Sequence, residues 1–168
     1  MTSIDLLVDA FERVRDAVQP AVNGLSPDEL AFRPDAESNS IAWLVWHLTR
    51  IQDDHVAGLD GNEQVWTARG WADRFALPLE VTDTGYGHDP DKVAVVTADA
   101  HSLLDYFEEV HDRTITYVQT LGEEELARVV DRRWDPPVTV GVRLMSVIAD
   151  DLQHAGQAAY VRGILQRR

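Results

Sequence analysis

The sequence contains no cysteine. This absence excludes disulfide bonds, thiolate metal ligands and a cysteine nucleophile from the chemistry of the chain itself. Any reaction of this protein that needs a thiol must therefore obtain the thiol from a bound small molecule. A glycine-rich phosphate loop and a Gly-x-Ser-x-Gly turn are also absent. The sequence thus lacks the patterns typical of P-loop nucleotide hydrolases and of Ser–His–Asp hydrolases.

Positive charge is scarce in this chain. Lys92 is the only lysine, and 15 Lys and Arg residues stand against 29 Asp and Glu residues, which gives a formal net charge of −14 at pH 7. A surface of this charge repels the phosphate backbone of nucleic acids, and no local basic patch interrupts it. We therefore expect no nucleic-acid partner.

Long apolar runs are missing as well. No stretch approaches the roughly 18 consecutive apolar residues that indicate a membrane-spanning helix. Residues 1–5 lack the basic region and the apolar segment typical of a secretory signal. We therefore expect a cytoplasmic protein with no membrane partner.

Apolar residues that recur with a helical period predict four long helices. They cover residues 4–22, 40–58, about 98–121 and about 141–165. A chain of 168 residues is long enough to bury one core of its own. We predict an all-α fold, a four-helix bundle that occupies residues 1–168 as a single domain.

Residues typical of helix ends support these boundaries. Thr2 or Ser3 is placed to begin the first helix and Thr97 the third, and Ser38, Asn39 and Ser40 all offer caps for the second. Between the first two helices, residues 26–29 carry a serine followed by proline and glutamate at the spacing of a short capped helix.

The long connection between the second and third helices is the least regular part of the chain. Residues 59–96 contain Trp66 and Trp71 among several glycines and prolines. Connections of this length are rare in compact domains unless they are functional or packed over a site. A short helix is expected within residues 62–76, and residues 138–140 are expected to be briefly extended.

The last helix carries the residues best suited to bind a metal ion. Asp150 and His154 lie four residues apart, so both project from one face of the helix. Asp151 lies three residues before His154 and is an alternative carboxylate. Two side chains at this spacing can bind the same ion.

The second helix offers two histidines that could complete the site, His47 and His55. The helical period places His55 near the middle of the apolar face and His47 at its edge, so periodicity favours His55 as the buried residue. One of them, together with Asp150 and His154, makes a His–Asp–His set. Such a set suits a divalent transition metal and leaves coordination positions open for water or substrate.

Other charged and polar residues show no comparable pattern. We predict surface or boundary positions for three further histidines and solvated helix faces for two acidic pairs. These residues are His88, His101 and His111, and the pairs Asp53-Asp54 and Glu108-Glu109.

With these motifs in place, the chain resembles the DinB/YfiT-like superfamily of metal-binding four-helix bundles. The resemblance is carried by residues 25–30, 40–48 and 150–157. It implies that His47 and His154 are metal ligands, and that Asp150 stands where the common pattern has a histidine. It also implies that the ligand on the second helix is His47 and not His55. His55 would then contact a metal ligand from behind or line the pocket.

The mycothiol-dependent branch of that superfamily, which includes maleylpyruvate isomerase, is similar in pairing two histidines with a carboxylate. The resemblance therefore implies an enzyme that uses a divalent metal, zinc before nickel or iron, and a mycothiol-like low-molecular-weight thiol. Its reaction would be S-transfer to a small electrophilic substrate, or isomerisation of that substrate. We expect Trp66, Trp71 and either Arg33 or Arg143 to shape the substrate pocket. No individual catalytic residue is assigned.

The alternative is a non-catalytic bundle, associated with stress or with ligand binding, whose metal site is vestigial. A homodimer is expected under either hypothesis, because a bundle of this kind can pair through a helix face.

Overall fold

Four long helices form the body of the protein in the computed structural model, which describes residues 1–167. In chain order the elements are α1 (Ser3–Val22), α2 (Pro27–Ala31), α3 (Ile41–Asp60), α4 (Val65–Ala68), α5 (Trp71–Phe75), α6 (Pro90–Ala94), α7 (Ala100–Gln119), α8 (Glu123–Leu126), β1 (Val129–Asp131), β2 (Val138–Thr139) and α9 (Val140–Leu165). The predicted all-α four-helix bundle is confirmed, and consists of α1, α3, α7 and α9. A small antiparallel pair of β1 and β2 precedes α9. Within residues 1–167, no helix has both the length and the apolar character needed to cross a membrane.

Side-chain caps begin most of these helices. The Thr2 hydroxyl accepts a hydrogen bond from the Asp5 N–H and thereby begins α1, as predicted. Thr97 was predicted to begin the third long helix, and this is wrong. Asp99 takes that role and accepts from the Ser102 N–H at 2.9 Å. A carboxylate at this position also interacts favourably with the positive end of the helix dipole.

The helix α3 is the most deeply buried element. It packs against both α7 and α9, and α1 packs against the same two helices. Fourteen residues of α3 are buried, including polar ones such as Arg50 and Gln52. Because α3 is buried on almost every side, the period of its apolar residues could not show which of its two histidines, His47 or His55, points toward the core.

Residues 61–99 cover the outer side of α3. The single short helix expected at residues 62–76 is instead two helices, α4 and α5, separated by Gly70 with φ +73°. The rings of Trp66 and Trp71 lie 5.2 and 5.8 Å from the ring of Tyr106 on α7. These aromatic contacts fix the connection onto the bundle.

Asp53 joins the same connection to α3 through hydrogen bonds. It is 1% exposed, and its carboxylate accepts from the N–H groups of Val65 and Trp66 at 2.8 Å each and from the Tyr106 hydroxyl at 2.9 Å. The prediction that Asp53 lies on a solvated face is therefore wrong. The α4 N-terminus covers it, and buried backbone N–H groups require an acceptor.

Two of the three remaining histidines have buried side chains. His111 contradicts the prediction, whereas His88 as a whole residue lies at the boundary, as predicted. The side chains of His88 and His111 are each 1% exposed, whereas that of His101 is 85% exposed as expected. His111 lies where α7 faces α1, with its Nε2 3.5 Å from a carboxylate oxygen of Glu12. Burial lowers the pKa of His111 below its usual value, and the charge of Glu12 opposes this effect only in part.

Replacing Asp53 should destabilise the protein far more than replacing its neighbour. In Asp53→Ala, two backbone N–H groups and the Tyr106 hydroxyl lose their acceptor in a buried setting, beside the buried charge of Arg50. We expect the free energy of unfolding to fall by about 3–5 kcal/mol. The matched control Asp54→Ala alters a carboxylate that is 44% exposed and should cost about 1 kcal/mol or less. Urea denaturation measures both, and equal losses would contradict the network.

The buried His111 should make stability depend on pH. Its folded pKa lies below the ordinary value of 6.5, so the unfolded chain binds more protons as the pH falls below that value. The free energy of unfolding therefore decreases toward acid. When the pH is lowered from about 7.5 to about 5.5, we expect the free energy of unfolding of His111→Phe to fall less than that of the wild type. The control His101→Phe, at an exposed site, should fall as much as the wild type. Identical slopes for the wild type and His111→Phe would count against this account.

Candidate metal centre

His47, Asp150 and His154 come together between α3 and α9. Each offers one ligand atom, and these atoms all lie within 4.8 Å of one another. His47 Nε2 is 4.0 Å from one carboxylate oxygen of Asp150, and His154 Nε2 is 3.6 Å from the other. We call these three side chains the His–Asp–His cluster.

The helical period of α9 explains why Asp150 and not Asp151 joins the cluster. The buried residues of α9 are Val140, Leu144, Val147, Ile148, Asp151, Ala155, Ala158 and Val161. Asp150 and His154 are one helical turn apart at the edge of the face that these residues form, where α9 meets α3. Asp151 points into the core, where burial raises its pKa well above the usual range, and it is not part of the cluster.

Both histidines are held in the tautomer that a metal ligand needs. The Nδ1 of His47 lies 2.6 Å from the carbonyl oxygen of Thr84, and the Nδ1 of His154 lies 3.0 Å from Oε1 of Gln157. Because these oxygens only accept, each Nδ1 carries the hydrogen and each Nε2 presents a lone pair in the neutral ring. Bonds of this kind orient metal-binding histidines in general.

Charge within the cluster favours a cation beside Asp150. Burial lowers the pKa of His47, so its ring stays neutral at pH 7. Burial alone would raise the pKa of Asp150, but the interaction with His154, with a further contribution from His47, lowers it. Burial would likewise lower the pKa of His154, but its contacts to Asp150 and Gln157 raise it. An ionised carboxylate therefore lies between the two imidazoles, and its negative charge favours a cation at this position.

The donor set fits a divalent transition metal. Oxygen Oδ2 of Asp150 is buried and has no hydrogen-bond partner within residues 1–167, an arrangement that costs free energy unless a cation is near. Two nitrogens and one carboxylate oxygen are ligands that zinc, nickel and iron accept. Two atoms that bind one ion at about 2.0–2.2 Å can be at most about 4.4 Å apart. The 4.0 and 3.6 Å separations lie below this limit but involve different oxygens of Asp150. One ligand atom from each residue lies within 4.8 Å of the other two, so a contraction of a few tenths of an ångström would let the cluster hold a metal.

Other residues named from the sequence are not part of the cluster. His55, which periodicity favoured, is not part of it and lies 3.8 Å from Asp54. Arg33 donates to the carbonyl oxygens of Ser38 and Pro90. Arg143 lies 3.6 Å from Asp131, and the two tryptophans expected in the pocket wall are buried against Tyr106.

Sequence reasoning missed several neighbours of His47. Trp43 stacks on the His47 ring with centroids 4.6 Å apart and planes 15° apart, and its ring also meets His154 edge-on at 6.0 Å. Thr84 was not singled out, since its carbonyl is a backbone group that no side-chain pattern reveals. The spacing of Trp43 and His47, four residues on one helix, was the one available signal.

A cleft of about 710 Å³ opens along α9 next to His154, although none of the three cluster side chains lines it. Its wall includes Gln153 and Gln157, which flank His154 along α9, and Leu44, one turn before His47. The other lining residues include Leu152, Tyr160, Val161 and Ile164. The cleft is therefore mainly apolar, with amide groups at the end nearest the cluster.

Comparison with known proteins places this fold and site in context. A family model of the DinB superfamily matches residues 10–158. The crystal structure of a conserved protein from Enterococcus faecalis superposes with a TM-score of 0.92 and 31% sequence identity, and the match covers 100% of this chain and 99% of that one. No curated protein matches this chain. With its four-helix bundle and a match that spans most of its length, the chain belongs to the DinB superfamily.

Proposed function

We propose that this protein is a metal-dependent enzyme that joins a low-molecular-weight thiol to a small electrophilic substrate, or isomerises that substrate with the help of the thiol. The observation that carries the proposal is the His–Asp–His cluster, in which two imidazole Nε2 atoms and one unpartnered carboxylate oxygen converge. His47, Asp150 and His154 would hold the ion. Three protein ligands are typical of catalytic sites, which keep a position open for a reactant.

A divalent ion in this position supplies a Lewis acid that lowers the pKa of a thiol and keeps it reactive at neutral pH. Zinc fits the nitrogen and oxygen donors best, and nickel or iron fit them as well. The chain has no cysteine, so the thiol must come from a small molecule. The carboxylate at Asp150, in the pattern of the mycothiol-dependent branch, supports a mycothiol-like thiol.

The chain's own residues would organise the reactants around that ion. His47 and His154 are oriented by their Nδ1 hydrogen bonds, so neither ring must reorient before it binds. The 710 Å³ cleft beside His154 has the size and apolar lining of a small-molecule site. Gln153 and Gln157 provide amide groups for the polar part of a substrate at the end of the cleft nearest the cluster.

The proposed function predicts a measurable metal affinity. We expect the wild type to bind one divalent ion per chain, and His154→Ala to weaken that binding by more than the roughly 10–100-fold typical of losing an outer hydrogen-bond partner. Asp150→Asn should also weaken it, because the amide removes the negative charge. Elemental analysis and competition with a chromophoric chelator measure these quantities.

Matched controls make this result specific. His101→Ala changes a histidine whose side chain is 85% exposed and should leave the affinity unchanged. If the supplemented wild type retains less than about a tenth of an ion per chain, far below the one-to-one stoichiometry of a bound site, the enzyme proposal fails. The vestigial-site alternative would then be preferred.

The second prediction concerns the thiol. When the cobalt(II)-loaded protein is titrated with mycothiol, we expect a sulfur-to-cobalt charge-transfer band to develop in the near ultraviolet. Because the chain has no cysteine, the sulfur in such a band can come only from the added thiol. The same titration of His154→Ala should give no band. A metal-loaded wild type that shows no band at any thiol concentration would contradict the thiol-dependent reaction while leaving the metal site intact.

A further inference from the structure

We propose that residues 83–88, which we call the 83–88 segment, act as a positioning device that fixes the ring orientation and tautomer of His47. This inference rests on the metal site of the proposed function. It concerns residues that do not themselves bind the ion. The segment lies in the connection between α6 and the short helices that cover α3, so it approaches His47 from outside the bundle.

The first observation is the close approach of the backbone to His47. Thr84 accepts from His47 Nδ1 at 2.6 Å. Gly85, with φ +90°, follows it directly, and a Cβ at Gly85 would lie 2.6 Å from His47 Nδ1 and 3.1 Å from the ring of Trp46. Any side chain here would push the Thr84 carbonyl away from the imidazole. Only glycine therefore permits this hydrogen bond in this geometry.

The second observation is that Asp83 holds the segment in place. Its carboxylate accepts from the Gly85 N–H at 3.0 Å and from Nε2 of His88 at 2.8 Å. Its backbone carbonyl accepts from Nε of Arg50, a fully buried residue of α3. Asp83 thus connects both ends of the segment and ties them to the core.

The third observation links the 83–88 segment to the face of the His47 ring, through His88 and Trp43. Nε2 of His88 donates to Asp83, so its Nδ1 is free to accept, and it accepts from Trp43 Nε1 at 3.1 Å. Trp43 in turn stacks on His47. His47 therefore has the Thr84 carbonyl on its edge and a fixed indole on its face, and both contacts depend on the 83–88 segment.

These contacts leave His47 one way to interact with a cation. The Nδ1 hydrogen is committed to Thr84, and the stacked indole restricts rotation of the ring, so the Nε2 lone pair stays directed toward Asp150. Losing either contact would allow the ring to rotate or to exchange its tautomer. Outer contacts of this type commonly change metal affinity by about 10–100-fold.

The chain offers a matched pair of glycines to test the inference. Gly85 and Gly87 both have positive φ, but a Cβ at Gly87 meets no atom of the described chain within 4 Å. Gly85→Ala and Gly87→Ala therefore share the backbone strain and differ in the contact with His47. We expect zinc affinity to fall by about 10–100-fold in Gly85→Ala and to stay within about threefold of the wild type in Gly87→Ala. Equal affinities in the two variants would overturn the inference.

A measurement on the metal-free protein keeps this test independent of the proposed function. In the ¹⁵N NMR spectrum of the imidazole nitrogens, wild-type His47 should show a protonated Nδ1 and an unprotonated Nε2. Gly85→Ala should mix the two tautomers, whereas Gly87→Ala should not. A wild-type His47 that is protonated on Nε2 would overturn the inference whether or not the protein binds metal.

A second variant covers the case in which Gly85→Ala does not fold. His88→Phe keeps an aromatic ring but removes the acceptor for Trp43 and the donor to Asp83. We expect it to lower zinc affinity by at least about tenfold, while His101→Phe, at an exposed site, leaves the affinity unchanged. Unchanged affinity in His88→Phe, in a wild-type background that binds zinc, would overturn the inference. Absence of zinc binding by the wild type would instead overturn the proposed function.

Discussion

The structure depends on the way the connection between α3 and α7 covers α3. Asp53 is the constraint at the centre of this arrangement, since it is buried and accepts from two backbone N–H groups at the start of α4. A buried N–H must find an acceptor, and Asp53 is the acceptor placed to receive both. The connection is therefore fixed in register along α3, and this register brings the Thr84 carbonyl to His47, six residues before Asp53.

The chemistry of the cluster follows from where the two helices meet. His47 comes from a helix that is buried on nearly every side, and Asp150 and His154 come from the edge of α9, where the side chains remain partly exposed. One ligand is thus held by the core, while the other two lie on the more exposed side of the cluster. A bound ion would therefore lie between the buried side chain of His47 and the partly exposed side chains of Asp150 and His154.

Much of the fold and part of the site could be predicted from the sequence. Four helices and the one-turn spacing of Asp150 and His154 are local properties, which periodicity and capping residues reveal. The choice between His47 and His55 was not local, because it depends on where α9 packs against α3 and places Asp150 and His154. For the same reason the burial of the Asp53, His88 and His111 side chains could not be predicted, since each is buried by a segment distant in sequence. The Thr84 carbonyl has no side-chain signal, and Gly85 is one glycine among 10.

The central claim is that the side chains of His47, Asp150 and His154 hold one divalent ion through a defined set of atoms. The most direct test is a crystal structure of the zinc-loaded protein, with anomalous diffraction recorded on both sides of the zinc absorption edge. The account predicts one strong peak, bound by Nε2 of His47, Nε2 of His154 and the carboxylate of Asp150, with the Nδ1 of His47 still bonded to Thr84. A peak at another position, or zinc bound by His55 or Asp151 in place of these ligands, would contradict it.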